Sequence, residues 1–270
     1  MNKIILITGS SSGIGKATVE LFASKGWQVA ATMRDVSASP FSDLENAQSY
    51  KLDVTNDIQV QSVFKQVIKD FGRIDVVVNN AGYGLDGVFE AIDDSNITKQ
   101  FDTNVFGLMK VTRAAIQHMR PKKSGTIIQI SSMGGRLTFP LYSVYHASKW
   151  AVEGFSESLH YELNQFGIKI KIIEPGAIKT AFYGTNRVFV KPQKNIGYDS
   201  LVSKVEKLAI RSGNNGVPPE TVAKTIYKAA TSNSDKLRYA AGSPAPVLLF
   251  MRKVLPEKLF YKIIRRNFKI

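Results

Sequence analysis

Short apolar runs alternate with longer segments of helical periodicity along most of the chain. The apolar runs predict strands at 3–7, 28–32, 49–52, 75–78, 126–131, 168–173 and 237–240, and the periodic segments predict helices at 14–25, 57–71, 96–119, 145–166 and 220–231. Strands that alternate with helices favour a parallel sheet with helices on both faces. We therefore predict one α/β domain over residues 1–270, a doubly wound parallel sheet of about seven strands.

Residue composition excludes several kinds of site. The chain has no cysteine, which excludes disulfides, thiolate metal sites and a cysteine nucleophile. Its three histidines, His118, His146 and His160, form no ligand motif, so no metal site is expected. No uncharged apolar run approaches the ~20 residues of a spanning helix, and the apolar run 4–7 is too short for a signal peptide. We expect a cytoplasmic protein.

Positive charge is concentrated in the last third of the chain. Residues 1–183 carry 19 Lys and Arg against 17 Asp and Glu, whereas residues 184–270 carry 17 against 5. Nucleic acid, an anionic membrane surface, an acidic partner or simply a solvated basic surface would each account for this excess. Nucleic acid is not expected, because no recognition motif accompanies the charge.

A glycine-rich segment, Thr-Gly-Ser-Ser-Ser-Gly-Ile-Gly, follows the first predicted strand and opens the first helix. Glycines let the backbone approach a phosphate, and the helix N-terminus supplies free N–H groups. A triphosphate-binding P-loop is disfavoured, because Ser10 and Ala17 replace two residues that its pattern requires. The residues expected to hold a cofactor here are Gly9, Ser11, Ser12, Gly13, Ile14 and Gly15.

Tyr145 and Lys149 are four residues apart on a predicted helix, so their side chains share one face. A tyrosine with a pKa of about 10 is a poor acid or base at neutral pH. A neighbouring ammonium group lowers that pKa and makes proton transfer practicable. Tyr142 lacks such a partner, because His146 stands four residues after it.

Further polar segments follow the ends of the other predicted strands. They are Asp53-Val54, Asn-Asn-Ala-Gly at 79–82, Ser131-Ser132, and Pro-Gly-Ala-Ile-Lys-Thr at 175–180. Together with the glycine-rich loop and the Tyr–Lys pair, these segments resemble the short-chain dehydrogenase/reductase family over roughly residues 3–180. The family signatures are T-G-x-x-x-G-[IL]-G, N-N-A-G, Y-x-x-x-K and P-G-x-[IV]-x-T.

This resemblance implies a Rossmann-like domain that transfers hydride between a nicotinamide and a carbonyl or alcohol carbon. It makes Tyr145 the general acid/base, while Lys149 tunes Tyr145 and binds the nicotinamide ribose. Ser132, thirteen residues before the tyrosine, would hold the substrate oxygen, with Ser131 as a structural hydroxyl. Asn104 would hold a water in a proton relay to the lysine.

The end of the second strand bears on cofactor choice. An NAD-binding fold places an acid there for the adenosine ribose, but this chain has Met33 followed by Arg34. Arg34 could pair with a 2′-phosphate, so NADP(H) is favoured; if Asp35 takes the ribose instead, NAD(H) is possible. By resemblance, the remaining cofactor contacts are Asp53, Val54, Asn80, Ala81, Gly82, Pro175, Gly176, Ile178 and Thr180.

Segments 136–142 and 180–183 resemble those of hydroxysteroid and retinol dehydrogenases in the family. They suggest an apolar substrate, such as a steroid, a retinoid or a lipid-derived ketone, beneath a lid at 181–216. The expected substrate contacts are Ser132, Tyr142, Tyr145 and Phe182. Alternatively, the lid aromatics, which include Tyr183, pack on the sheet or on a neighbouring subunit.

Residues 246–270 predict a basic amphipathic extension, with a helix that starts near Pro256. Its apolar residues form two rows, one of Leu255, Leu259 and Ile263 and the other of Phe260, Ile264 and Phe268. Three roles stay open: peripheral contact with an anionic membrane, cover for the substrate cleft, and packing on the core.

The resemblance also implies a homodimer or homotetramer, paired through helices 96–119 and 145–166. Two other functions are compatible with the sequence: a non-catalytic dinucleotide-binding redox sensor and a basic protein that binds membrane surfaces. The complete set of Asn104, Ser132, Tyr145 and Lys149 disfavours the sensor, because a sensor needs no proton relay.

Overall fold

The structure is a computed structural model, and it describes residues 2–180, 182, 187–192, 197–268 and 270 of the chain. Its strands are β1 (Ile4–Thr8), β2 (Gln28–Met33), β3 (Ala47–Lys51), β4 (Val76–Asn79), β5 (Gly84–Gly87), β6 (Gly125–Ile130), β7 (Ile168–Pro175), β8 (Arg187–Val190) and β9 (Arg238–Ala241). Its α-helices are α1 (Gly13–Ser24), α2 (Asp57–Phe71), α3 (Asp94–Phe101), α4 (Leu108–Met119), α5 (Ser143–Leu163), α6 (Asp199–Asn214), α7 (Pro219–Thr231), α8 (Ala245–Val254) and α9 (Glu257–Phe268).

The described residues form a seven-stranded parallel sheet in the order β3-β2-β1-β4-β6-β7-β9. β1 lies between β2 and β4, and the chain runs outward to both sides of it. This reversal of strand order opens a crevice at the carboxyl ends of β1 and β4, where doubly wound sheets bind ligands. The predicted fold class is confirmed.

Apolar side chains cover both faces of the sheet, as a buried parallel sheet requires. On one face, Val19 and Phe22 of α1 pack with Ile226 of α7. On the other face, side chains of α2, α4 and α5 form a second core, which includes Val111 and Leu159. Both cores bury strand residues directly beneath the crevice, so its floor is rigid.

The segment predicted as one helix at 96–119 consists of α3, a π-helical stretch at Asp102–Gly107, and α4. π-Helical stretches widen a helix locally and are frequent at functional sites. The loop after β3 approaches this stretch closely, since a Cβ on Gly107 would lie 2.7 Å from Cγ2 of Val54.

Two features were not predicted from the sequence. β5 and β8 form a separate parallel pair, in which the buried Asp86 carboxylate accepts a hydrogen bond of 2.7 Å from Nε of Arg187. In the C-terminal extension, α9 corresponds to the helix predicted from Pro256, whereas α8 and the packing of both helices with α6 around a third apolar cluster were not predicted. None of the described helices is long and apolar enough to cross a membrane.

Candidate active site

A cleft of about 810 Å³ opens at the carboxyl ends of the central strands. It brings together all of the predicted site residues except Gly15 and Asn104. The predicted residues that line it are Gly9, Ser11, Ser12, Gly13, Ile14, Arg34, Asp53, Val54, Asn80, Ala81, Gly82, Ser132, Tyr142, Tyr145, Lys149, Pro175, Gly176, Ile178, Thr180 and Phe182. The volume suits a bound small molecule or cofactor.

The loop between β1 and α1 has the backbone that a phosphate site needs. Gly9 and Gly13 have φ of 66° and 55°, a region that side chains disfavour. Ser12 begins α1 and its side chain makes no cap hydrogen bond to the described residues, which leaves the first N–H groups of the helix for a ligand. Gly15 lies beneath the loop, where a Cβ would be 2.3 Å from the Gly9 carbonyl oxygen. This close packing requires a glycine at position 15, and its cofactor contact stays a prediction.

Asn80 joins the ends of β1 and β4 under this loop. Its Nδ2 donates to the carbonyl oxygens of Thr8 and Gly9, both at 2.9 Å, and its backbone N–H donates to Oγ1 of Thr8 at 3.0 Å. These hydrogen bonds fix the glycine-rich loop to the ends of β1 and β4. Asn80 thereby sets the position of the loop over the sheet.

The cleft wall beyond β2 contains Arg34 and Asp53. Arg34 is exposed, and its charge lies close enough to Asp53 to contribute to a lowered pKa there. Asp35 lies outside the wall, and its carboxylate accepts from the backbone N–H of Ser37 at 3.0 Å and from the Ser37 hydroxyl at 2.7 Å. Arg34 therefore lines the cleft, whereas Asp35 does not.

α5 places Tyr145 and Lys149 side by side at the floor of the cleft. Tyr145 is 7% exposed, and Nζ of Lys149 lies 5.9 Å from the centre of its ring. The ammonium donates to the carbonyl oxygen of Ile130 at 2.9 Å. Burial lowers the pKa of Lys149 to about 8, against an opposing effect of the Glu153 carboxylate. A lysine that is charged at neutral pH thus faces the phenol.

The two serines at the end of β6 are held differently. Ser132 begins a short 3₁₀ turn, and its Oγ accepts from the N–H of Gly134 at 3.0 Å. Its hydroxyl hydrogen is therefore free to be directed into the cleft. The buried Oγ of Ser131 has no hydrogen-bond partner among the described residues.

Asn104 lies in the π-helical stretch, behind the cleft wall. Its Oδ1 accepts from the N–H of Tyr83 at 3.1 Å, and its Nδ2 donates to the Tyr83 carbonyl oxygen at 3.0 Å and to Oγ of Ser148 at 3.3 Å. The side chain thereby fixes residue 83 against α5, next to Lys149. The water relay that the family resemblance implies stays a prediction.

A partly buried cluster of charges next to Lys149 was not predicted. Arg238 of β9 donates to Glu153 at 2.9 Å and to Glu157 at 2.6 Å. Glu174 is buried beside it, within 3.5 Å of Arg136, and burial together with the Glu153 charge raises the pKa of Glu174 to about 7. Only the i,i+4 spacing of Lys149 and Glu153 in the sequence indicates such a cluster.

One part of the cleft wall is apolar. Phe182 and Tyr145 have ring centres 5.4 Å apart, and Phe139 lies near His146. Burial lowers the pKa of His146 to about 4, so this histidine is neutral near pH 7. Further wall residues come from the lid region and from the extension, namely Val188, Val205, Leu208, Ala209, Leu248 and Phe268.

The extension therefore covers part of the cleft, one of the three roles left open by the sequence. Of its two apolar rows, Phe260, Ile264 and Phe268 are buried, whereas Leu259 is 45% exposed. The ring of Phe268 lies 5.7 Å from that of Phe139. Residues 181, 183–186 and 193–196 of the predicted lid, which include Tyr183, and residue 269 of the extension lie outside the described residues.

Comparison with known proteins is consistent with this geometry. A family model for short chain dehydrogenases matches residues 3–188. The 3-ketodihydrosphingosine reductase of Bacteroides thetaiotaomicron is 33% identical over 264 residues, which cover 97% of each chain. The NADPH-dependent 3-dehydrocapnine reductase of Ornithobacterium rhinotracheale is 28% identical over 273 residues, 98% of this chain and 96% of that protein.

A short-chain dehydrogenase from Streptomyces avermitilis has the same fold, with a TM-score of 0.82, 34% identity and 98% of each chain covered. Of the other solved structures with this fold, one holds NADP and another holds NAD. These matches confirm the family resemblance that the motifs predict. They leave the choice between the two cofactors open.

Proposed function

Because the chain belongs to the short-chain dehydrogenase/reductase family, we propose that it uses NADPH to reduce the carbonyl group of a lipid-derived ketone. Members of this family are oxidoreductases that act on CH–OH or carbonyl groups with a nicotinamide cofactor, and this chain is one of them. One observation carries the specific proposal: a single cleft is lined by the Tyr145–Lys149 pair, by the glycine-rich loop and by a group of apolar side chains.

The residues of the cleft fit a nicotinamide dinucleotide phosphate. The N-terminus of α1 and the two glycines with positive φ suit the diphosphate, and Arg34 suits the 2′-phosphate. Asp53 and Val54 would meet the adenine, while the segment 175–180 would hold the nicotinamide end. Bound there, NADPH supplies the hydride.

The proton comes from a side chain of the protein. In the proposed reduction, the carbonyl carbon accepts the hydride while the Tyr145 hydroxyl donates its proton to the carbonyl oxygen, which gives the alcohol. Ser132 donates a hydrogen bond to the same oxygen and holds it near the phenol. The Lys149 ammonium, 5.9 Å from the phenol ring, stabilises the phenolate that remains.

The apolar wall supports a substrate with a long or bulky hydrocarbon part. Phe139, Val205, Leu208, Leu248 and Phe268 offer no charged group to a ligand. Two relatives that align over almost the whole chain are named as reductases, of 3-ketodihydrosphingosine and of 3-dehydrocapnine. We therefore place lipid-derived ketones ahead of steroids and retinoids, and reduction ahead of oxidation.

A substrate panel tests this proposal. Purified protein is mixed with NADPH or NADH and with 3-ketodihydrosphingosine, a steroid ketone, retinal or a short-chain ketone, and NADPH oxidation is followed by absorbance. The expected result is turnover of the long-chain ketone, faster with NADPH than with NADH, and little turnover of the short-chain ketone. Tight NADPH binding without turnover of any compound would overturn the proposal and favour the redox-sensor alternative.

We also propose that copies of the chain associate through α5. Trp150 and Tyr161 are exposed on it at a spacing that places them on one side of the helix. Light scattering on the Trp150→Glu variant should then show a smaller particle than the unmodified protein.

A peripheral membrane contact through residues 246–270 is proposed as well.

A further inference from the structure

α8 has two apolar sides with different surroundings. Leu249 is buried and Leu248 lines the cleft. On the other side, Val247, Phe250 and Val254 are 62%, 65% and 54% exposed. Their spacing of three and four residues places them in a row along one side of the helix, which we call the α8 stripe.

Exposed cations accompany the α8 stripe. On α8 and α9 they are Lys253, Lys258, Lys262, Arg265 and Arg266. None of these five takes part in an ion pair among the residues that the structure describes. Glu257 is the one acid of the two helices. Its Oε1 pairs with the Arg252 guanidinium at 3.4 Å and accepts a hydrogen bond from the Tyr261 hydroxyl at 2.6 Å. The exposed sides of α8 and α9 therefore carry an excess of positive charge.

We propose that the α8 stripe and the exposed cations of α8 and α9 dock the protein on an anionic lipid surface. A helix with exposed apolar residues and flanking lysines binds such a surface through apolar burial and through attraction to anionic headgroups. A second copy of the chain fits this face less well, because two such positive surfaces repel each other. Within the extension, this proposal assigns the apolar contact with the lipid to α8.

The α8 stripe lies close to the cleft, so docking would bring the cleft near the lipid surface. Leu248 and Phe268 line the cleft from α8 and α9, so the stripe and the cleft lie on opposite sides of one helix layer. A helix with its side chains is about 10 Å thick. A substrate that leaves the lipid surface would thus travel about one helix diameter to the apolar wall. This last step rests on the proposed reduction of a lipid-derived ketone, whereas the docking itself specifies the membrane contact proposed above for residues 246–270.

Vesicle flotation tests the docking. The full-length protein is centrifuged with vesicles of phosphatidylcholine alone and with vesicles that also contain phosphatidylglycerol. We expect flotation only with the anionic vesicles, and its loss at high salt. Replacing Lys253 and Lys258 with Gln should weaken binding about 30-fold, from about fivefold per lysine near an anionic surface.

The double variant Phe250→Asp, Val254→Asp should abolish flotation. Ile58→Asp is the matched control, because Ile58 is 81% exposed on α2 and belongs to no part of the stripe. Thermal melting and NADPH binding check that each variant is folded. No flotation with anionic vesicles, or flotation that both sets of variants leave unchanged, would overturn the proposal.

Light scattering without lipid separates docking from self-association. If the Phe250→Asp, Val254→Asp variant dissociates an oligomer, the stripe is an interface between copies and the proposal is wrong. An unchanged particle size supports it. Flotation uses no turnover, so a failure of docking and a failure of the proposed reduction are distinguishable.

Discussion

Arg34→Ala is expected to separate the affinities for the two nicotinamide cofactors. Arg34 lines the cleft just beyond β2, and the nearby Asp35 is engaged with Ser37 outside the wall. A hydrogen bond to a charged group contributes about 1.5–3 kcal/mol. Arg34 is exposed and screened by salt, so we take the lower figure, which corresponds to a roughly tenfold weaker Kd for NADPH. NADH has no 2′-phosphate, and its Kd should change less than about twofold.

The assay is fluorescence titration of each cofactor with the unmodified protein and with two variants. Lys51→Ala is the matched control: Lys51 pairs with Met33 across β2 and β3, is exposed, and does not belong to the cleft wall. It removes a cation close to Arg34 without removing the proposed contact. The selective effect of Arg34→Ala should shrink at high salt. Equal losses for NADPH and NADH, or an equal effect of Lys51→Ala, would refute the pairing of Arg34 with the 2′-phosphate.

Three further changes test other parts of the structure. Glu153→Gln removes a charge that raises the pKa of Lys149, so the alkaline fall of kcat/KM should move to lower pH; an unchanged profile contradicts this. Burial raises the pKa of Glu174 from 4.5 to about 7, so stability falls as pH rises through that window, and Glu174→Gln should raise Tm at pH 8 but not below pH 4.5. In urea, Phe260→Ala should lower the free energy of unfolding by about 3–5 kcal/mol and Leu259→Ala by less than about 0.5 kcal/mol; similar losses would contradict the burial pattern.

The central sheet could be predicted because its strands are short, apolar and regularly separated by helices. Burial on both faces makes a strand such as Val76–Asn79 nearly uniformly apolar, which is visible without any partner. The polar residues of the site follow these strands, so locating a strand end also located Asn80, Ser132 and Arg34. Local periodicity was sufficient for this part of the molecule.

Parts of the site that depend on contacts between distant segments could not be predicted. Asp86 and Arg187 are 101 residues apart, and Arg238 meets Glu153 across 85 residues. In the extension, both apolar rows have helical spacing, and only packing against Phe139 and Leu137 decides which row is buried. A pattern in one helix does not identify the surface that it meets.

Tyr145→Phe in a single-turnover experiment tests the central claim most directly. The variant and the unmodified protein are each loaded with NADPH and mixed with the ketone turned over best, and Tyr142→Phe, which lies in the same cleft, is the control. Removal of a general acid lowers the rate about 10²- to 10⁴-fold. We predict a loss in this range for Tyr145→Phe, with NADPH binding intact and a much smaller effect of Tyr142→Phe. Hydride transfer at an undiminished rate in Tyr145→Phe would contradict the assignment of Tyr145 as the proton donor.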